Sequence, residues 1–127
     1  MSPFELIALK QRVGAEYTAE VELFVLIRLD AAKRRQLDGV GFNFISHHLV
    51  QAQYIMARLK QPDLLKVVLA AGNAWIKAGA RDTLFLDLTT GEYKAVCAGL
   101  AAYFRILPRI ERNTYLQAMN VAEQAMK

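Results

Sequence analysis

The segment from Thr89 to Pro108 carries the strongest structural signal in the chain. Thr89 and Glu92 have the spacing of a capping box, in which the threonine oxygen accepts an amide hydrogen bond and the glutamate reaches back to the cap. Large apolar residues then recur at intervals of three and four, as on one face of an α-helix. Pro108 cannot continue that helix. We therefore predict a helix over residues 90–107. Its expected core residues are Tyr93, Val96, Cys97, Leu100, Phe104 and Leu107.

The remaining segments also favour helices, so the sequence predicts an all-α fold. We expect a compact bundle of about five helices in a single domain over residues 1–127. Gly14 is expected to separate a short first helix from a second, because glycine weakens a helix interior. Residues 21–29 are rich in β-branched and large apolar side chains, so a strand is an alternative there. Residues 83–88 alternate imperfectly and indicate an extended connector or a lone short strand.

Polar and glycine residues mark the expected helix ends. Residues 38–41 predict a turn, after which Asn43 or Ser46 caps the next helix. Asp63 is the expected N-cap of the following helix, and Gly79 its left-handed C-cap. A last helix is expected over residues 110–126, or from residue 115 if Thr114 and Gln117 form a second capping box. In residues 4–37, the side chains expected in the core are Leu6, Leu9, Val13, Tyr17, Phe24 and Ile27. In the last helix, they are Leu116, Met119, Ala122 and Met126. Tyr54 and Tyr103 are expected at the edges of the core.

A stripe of small residues runs beside the large apolar face of the predicted helix 90–107. Small side chains let a second backbone approach closely, so this helix is expected to be central and covered on two sides. We predict that the stripe is an interface with a protein partner or with a second copy of the chain, giving a homodimer. The stripe consists of Gly91, Ala95, Gly99 and Ala102.

The net charge of +4 is unevenly placed, since residues 43–81 carry five basic side chains and one acidic side chain. Lys66 and Lys77 align on one predicted helix, about 16 Å apart. The densest basic run is Lys33, Arg34 and Arg35. These five cations could contact phosphates, which makes nucleic-acid binding an alternative function. The alternative is that these cations have no binding role and lie on a solvated surface, with residues 33–35 at a helix C-terminus, where cations are favoured.

Residues that could carry chemistry are few and scattered. His47 and His48 are adjacent, so on a helix their rings diverge by about 100°, which does not suit one metal ion. We expect His48 to face the core and His47 to lie nearer the surface. Cys97 lies on the large apolar face, about two turns from the start of its helix, so we expect a thiol packed in the core and not a reactive one. Asp82 and Asp87 lie in a connector, where binding residues often occur. No catalytic residue, metal site or cofactor is predicted.

The absence of a reactive motif favours a non-enzymatic function. The sequence has no glycine-rich phosphate loop, no nucleophile elbow and no zinc-binding His motif. We expect a small helical protein that binds a protein partner or itself. A nucleic-acid-binding regulator is the first alternative, and a small-molecule-binding helical protein the second. One cysteine, no signal sequence and no membrane-spanning run favour the cytoplasm, with no membrane partner.

Overall fold

The computed structural model describes residues 2–81 and 83–127, and the side chains of residues 4–7 lie outside that description. The described residues form six α-helices and one turn of 3-10 helix, with no strand beyond an isolated bridge between Arg12 and Glu111. The all-α prediction is confirmed. The elements are α1 Pro3–Lys10, α2 Ala15–Lys33, α3 Gly39–Arg58, α4 Pro62–Gly79, α5 Thr90–Ile106, the 3-10 turn Leu107–Arg109, and α6 Arg112–Ala125.

The start of α5 has the predicted capping box. The Thr89 hydroxyl accepts a hydrogen bond from the amide of Glu92 at 3.1 Å, and the Glu92 carboxylate accepts one from the amide of Thr89 at 2.9 Å. Arg81, just after α4, donates to the same carboxylate and to the carbonyl of Asp87. The hydrogen bond from Arg81, followed by that from the Thr89 amide, lowers the pKa of Glu92 to about 2. The cap therefore ties the end of α4 to the start of α5 across residues 83–88, which form an irregular connector.

We expect Thr89→Ala to lower the free energy of unfolding by about 1 kcal/mol, because the Glu92 amide loses its acceptor. Thr90→Ala is the matched control, since Thr90 is also exposed and its side chain makes none of the described hydrogen bonds. That control should change the free energy of unfolding by less than about 0.5 kcal/mol. Urea unfolding followed by circular dichroism measures both values. Equal losses in the two variants would show that the cap contributes nothing.

Gly14 divides the first helical region as predicted, since it adopts φ +87° between α1 and α2. The strand alternative for residues 21–29 is wrong, because they lie in the middle of α2. Val21, Val25 and Leu29 recur at intervals of four and are all buried. Their burial along one side of a helix outweighs the strand preference of valine and other β-branched residues.

The start of α3 differs from the prediction. Asp38 caps this helix by accepting a hydrogen bond from the amide of Gly41 at 2.7 Å, so the helix begins before either predicted cap residue. Asn43 lies exposed in the second turn. Ser46 lies deeper in the helix, where its hydroxyl accepts a hydrogen bond from the indole of Trp75 at 2.9 Å. Residues 38–41 are thus a cap and a first helical turn.

Both predicted caps of α4 are also wrong. Pro62 occupies the first turn, and Asp63 follows it inside the helix, where its charge still favours the N-terminus. Gly79 is the last helical residue, and Ala80 continues with right-handed backbone angles. A Cβ atom on Gly79 would lie 2.5 Å from the ring of Phe42. The glycine is therefore needed for packing against α3.

The buried face of α6 is displaced from the predicted one. The helix begins at Arg112, with Thr114 inside it, so the second capping box is absent. Tyr115 and Ala118 are buried together with the predicted Ala122, whereas Leu116 is half exposed. The start at Arg112 agrees with the longer of the two predicted ranges.

The core is organised around α3, which contacts α2, α4, α5 and α6, and around α5, which contacts α2, α3, α4 and the 3-10 turn. The most extensive helix pair is α4 with α5. Tyr103 is fully buried, against the prediction of an edge position, because its hydroxyl donates to Gln51 inside the core. Leu6 lies outside the described side chains. The largest fully buried side chains are Trp75, Tyr103, Ile45, Ile55, Met56 and Leu107.

Candidate functional site

An open groove of about 800 Å³ lies between α2, the first half of α3 and α6. Its lining is mainly apolar, and the largest apolar side chains are Val21, Phe24, Val40, Phe44, Met119 and Met126. Uncharged polar side chains also line it, namely Tyr17, Asn43, His47, His48, Gln51 and Tyr115, and the charged residues of the lining are Glu20, Glu123 and Lys127. A mainly apolar groove with a few convergent polar groups is typical of a ligand-binding site.

A buried chain of hydrogen bonds begins at the groove and runs into the core. The Tyr103 hydroxyl donates to Gln51 Oε1 at 2.6 Å, and Gln51 Nε2 contacts His47 Nδ1 at 2.7 Å. Because an amide nitrogen only donates, His47 Nδ1 accepts, and a neutral His47 carries its proton on Nε2. Gln51 is 1% exposed, so this chain fixes its side chain in one orientation.

His48 is the exception to this satisfied network. Its side chain lines the groove and is only 6% exposed, yet its Nδ1 has no hydrogen-bond partner among the described residues. The ring packs edge-on against Phe44, with 4.7 Å between centroids. Burial, followed by the charges of His47 and Arg28, lowers the pKa of His48 to about 4, although a side-chain interaction with Gln51 opposes this shift. His48 is therefore a neutral, buried group with unused hydrogen-bonding capacity, a rare condition in folded proteins.

Two tyrosines join α2 to α6 within the lining. The hydroxyl oxygens of Tyr17 and Tyr115 are 3.4 Å apart, and the rings meet edge to face with 5.8 Å between centroids. Burial raises the pKa of Tyr115, and the hydrogen bond to Tyr17 adds to this effect. The phenol of Tyr115 therefore stays uncharged at neutral pH, and the groove keeps an apolar character on this side.

A second surface lies on the outer side of α2. Leu23, Leu26 and Ile27 are 57%, 48% and 55% exposed, and we call these three residues the α2 ridge. Phe24 and Ile27 were expected in the core, and that prediction is wrong because Val21, Val25 and Leu29 occupy it. Contiguous exposed apolar side chains of this size mark interaction surfaces.

The small-residue stripe of α5 lies partly inside the protein. A Cβ atom on Gly99 would come within 2.3 Å of the Ala71 Cβ, so α4 of the same chain makes the close approach. Ala102 is buried, Ala95 is half-buried, and Gly91 is exposed with no atom near its missing Cβ. A second copy thus has access only to Gly91 and part of Ala95. The interface prediction for this stripe stays a prediction.

The five predicted phosphate-binding cations do not converge. Lys66 and Lys77 are exposed on α4, and the described parts of α2 and α4 are not in contact. Each cation of the basic run has a partner within the chain, which reduces its availability to phosphate. Lys33 lies 5.3 Å above the ring of Tyr93, Arg34 pairs with Asp30 at 3.1 Å, and Arg35 pairs with Asp87 at 3.1 Å. Nucleic-acid binding therefore stays a prediction.

The other candidate residues supply no reactive cluster. Cys97 is half-buried in α5, and Asp87 is ion-paired, while Asp82 lies outside the described residues. Over residues 2–81 and 83–127, no three His, Cys, Asp or Glu side chains are grouped to hold a metal ion. Within the same ranges, no helix combines the length and the apolar character needed to cross a membrane.

The sequence singles out His47 and His48 as residues that could carry chemistry, without assigning them a role, and it does not single out two other residues of the site. Gln51 had no assigned role, and Tyr103 was placed at an edge. The signal for Gln51 is its position one turn after His47, directly before the apolar face that Ala52 continues. A polar residue in such a place needs a buried partner, although the sequence does not identify Tyr103 as that partner.

Comparison of the chain with protein-family models, with curated proteins and with solved structures finds no match. The function is therefore inferred from the α2 ridge and the groove themselves.

Proposed function

We propose that the protein self-associates through the α2 ridge, with α2 packed antiparallel against α2 of a second copy. The observation that carries this proposal is the exposure of Leu23, Leu26 and Ile27 in the middle of one long helix. Each copy would cover these side chains on the other, and removing apolar area from water is the main favourable contribution to association. A two-fold arrangement uses the same surface on both copies, as in most homodimers.

The charges of α2 favour a second copy as the partner, in antiparallel orientation. Residues 15–23 carry three acidic side chains and no basic one, whereas residues 28–35 carry four basic side chains and one acidic one. An antiparallel pair places the acidic half of each helix beside the basic half of the other. A parallel pair would place like charges together. Complementary charges of this kind select orientation and partner more than they add affinity.

The spacing of residues defines the register. Glu16, Leu23, Ile27 and Arg34 follow one another at intervals of seven, four and seven, so they lie along one side of α2. Leu23 and Ile27 are equally far from Val25, and so are Glu16 and Arg34. A two-fold axis at the level of Val25, on the exposed side of α2 opposite that residue, therefore brings Leu23 against Ile27 of the second copy, and Glu16 against its Arg34.

This register contains one like-charged pairing, between Glu20 and Asp30 of the second copy. Asp30 is ion-paired at 3.1 Å with Arg34, the C-cap residue of its own helix, so in the dimer this one guanidinium would serve both Asp30 and Glu16 of the second copy. Exposed charge pairs contribute at most about 1 kcal/mol. Full burial of a leucine or isoleucine side chain contributes about 1.5–3 kcal/mol, so the apolar contacts outweigh this repulsion.

Sedimentation equilibrium tests the proposal, with protein concentrations from about 1 μM to about 1 mM. The average mass should rise from 14.3 kDa toward twice that value. Ile27→Ser should raise the dimer dissociation constant at least about tenfold, because each dimer loses two apolar side chains. Ile76→Ser is the matched control, since Ile76 is 66% exposed on α4, away from the ridge. A wild-type protein that stays monomeric throughout would overturn the proposal.

A charge exchange tests the orientation separately. Glu16→Arg should weaken the dimer by placing two arginines together at each end. The double variant Glu16→Arg with Arg34→Glu should recover part of the lost affinity, because opposite charges face each other again. Recovery should be largest at low salt, where charges are least screened. Absence of recovery would contradict the antiparallel register.

A further inference from the structure

We infer that the groove between α2, α3 and α6 binds an uncharged, mainly aromatic molecule that carries a hydroxyl group, and that this hydroxyl forms a hydrogen bond with His48. The inference goes beyond self-association and depends on other residues of α2, with Glu20 at the border between the two surfaces. Phe24 and Tyr17 of α2 line the groove, whereas Leu23 and Ile27 are not part of its lining. Ligand binding and dimerisation can therefore be tested independently.

One ring nitrogen of His48, Nδ1, has no hydrogen-bond partner among the described residues. A buried polar group without a hydrogen bond destabilises a protein, and nearly all such groups find a partner. The described residues supply none for His48 Nδ1, although the neighbouring His47 and Gln51 have theirs. His48 lines an open groove, and its Nδ1 is buried beside it, so a molecule bound there can supply the missing partner once the ring rotates toward the groove.

The side chains that line the groove suit an aromatic ligand in shape and in chemistry. Phe24 and Phe44 offer aromatic surfaces, against which a planar ring can stack or pack edge-on. Met119 and Met126 close the α6 side, and methionine adapts to ligands of different outline while making favourable contacts with aromatic rings. The volume of about 800 Å³ is within the range of sites for small organic molecules.

The charges in and around the groove disfavour a charged ligand. Burial keeps His48 neutral at pH 7, so it provides no charge to pair with a carboxylate. Glu20 and Glu123 also line the groove and repel an anion. Lys127 lines the groove as well and repels a cation. A hydroxyl suits the site because it can donate to, or accept from, either tautomer of a neutral imidazole.

Three probes with the same ring system test this inference: naphthalene, 2-naphthol and 2-naphthoate. Binding to the wild-type protein at pH 7 is followed by probe fluorescence. We expect 2-naphthol to bind about tenfold more tightly than naphthalene, which corresponds to one hydrogen bond in a buried site. We expect 2-naphthoate to bind more weakly than 2-naphthol. Equal affinity for naphthalene and 2-naphthol, tighter binding of 2-naphthoate, or no binding of any probe would overturn the inference.

His48→Leu identifies the residue responsible. This variant should lose the preference for 2-naphthol while it still binds naphthalene, because the apolar walls remain. Retained naphthalene binding also shows that the variant is folded. Asn43→Leu is the matched control, since it removes a polar side chain that lines the same groove but is exposed. A preference that persists in His48→Leu, or disappears in Asn43→Leu, would contradict the role of His48. Ile27→Ser should bind 2-naphthol as the wild type does, whether or not the protein dimerises.

Discussion

Gly99→Ala should lower the free energy of unfolding by about 2 kcal/mol, although alanine normally stabilises a helix by about 1 kcal/mol relative to glycine. The new Cβ would lie 2.3 Å from the Cβ of Ala71, far closer than two methyl groups can approach. A methyl group fixed to the backbone cannot rotate away, so α4 and α5 would have to separate. Because these helices form the most extensive pair in the fold, the strain would disturb much of the core. Urea unfolding measures the loss.

Two further variants make the Gly99→Ala result specific. The double variant Gly99→Ala with Ala71→Gly moves the methyl group from one helix to the other, and it should regain most of the lost stability. Gly91→Ala is the matched control, because no atom lies within 4 Å of the position of its Cβ. The free energy of unfolding of this control should equal that of the wild type or exceed it slightly. If Gly99→Ala alone were as stable as the wild type, the close packing of α4 against α5 would be wrong.

Acidification from pH 6.5 to pH 4 should remove about 3 kcal/mol of stability through His48 alone. The pKa of His48 is about 4 in the folded protein and 6.5 in the unfolded chain, chiefly because of burial. Below pH 6.5 the unfolded chain binds a proton that the folded protein does not, so unfolding becomes easier as the pH falls. The contribution of His48 to stability is fully present above pH 6.5 and is lost below pH 4. Urea unfolding at several pH values measures this slope.

The variant His48→Leu separates this effect from other titrations. It should lose the His48 contribution to the slope between pH 6.5 and pH 4, and it should be more stable than the wild type at pH 5. Groups near His48 that remain in the variant include His47 and Arg28. Glu92, whose pKa is lowered to about 2 by Arg81, acts at lower pH and is retained. An unchanged slope in His48→Leu would show that His48 is not the group responsible.

Local signals in the sequence predict the helices of this protein well. Thr89 and Glu92 mark the start of α5 because both partners of the capping box lie within one turn. The start of α3 was placed too late because the glycines at residues 39 and 41 are typical of a turn. A single hydrogen bond from the Gly41 amide to Asp38 makes them the first helical turn instead. Whether a segment forms a turn or begins a helix therefore depends on one or two interactions, which the amino-acid composition does not reveal.

The buried face of α2 could not be predicted in the same way. Large apolar residues surround residues 21–29 on most sides, so helical periodicity fits more than one face. The contacts with α3 and α5 decide that Val21, Val25 and Leu29 are buried. The α2 ridge follows only from that choice. The surface proposed for self-association therefore becomes visible when the tertiary neighbours of α2 are known.

The groove was only partly predictable. The divergence of adjacent side chains on a helix correctly places His48 inward, as the sequence suggested. The hydrogen bond between Gln51 and Tyr103 joins residues 52 positions apart, and no local pattern indicates it. The empty hydrogen-bonding position on His48 is likewise a property of the assembled helices, because it depends on what all its neighbours fail to supply.

The contact of Arg81 with the cap of α5 has a consequence for the order in which the protein loses structure. It closes the short connector between two helices that are neighbours in sequence, so little chain entropy opposes their pairing. The hairpin of α4 and α5 should therefore persist in partially opened states, whereas α2, with its exposed outer side, detaches first. The α2 wall of the groove would then belong to the part that detaches first, whereas the α3 wall stays packed against the hairpin of α4 and α5.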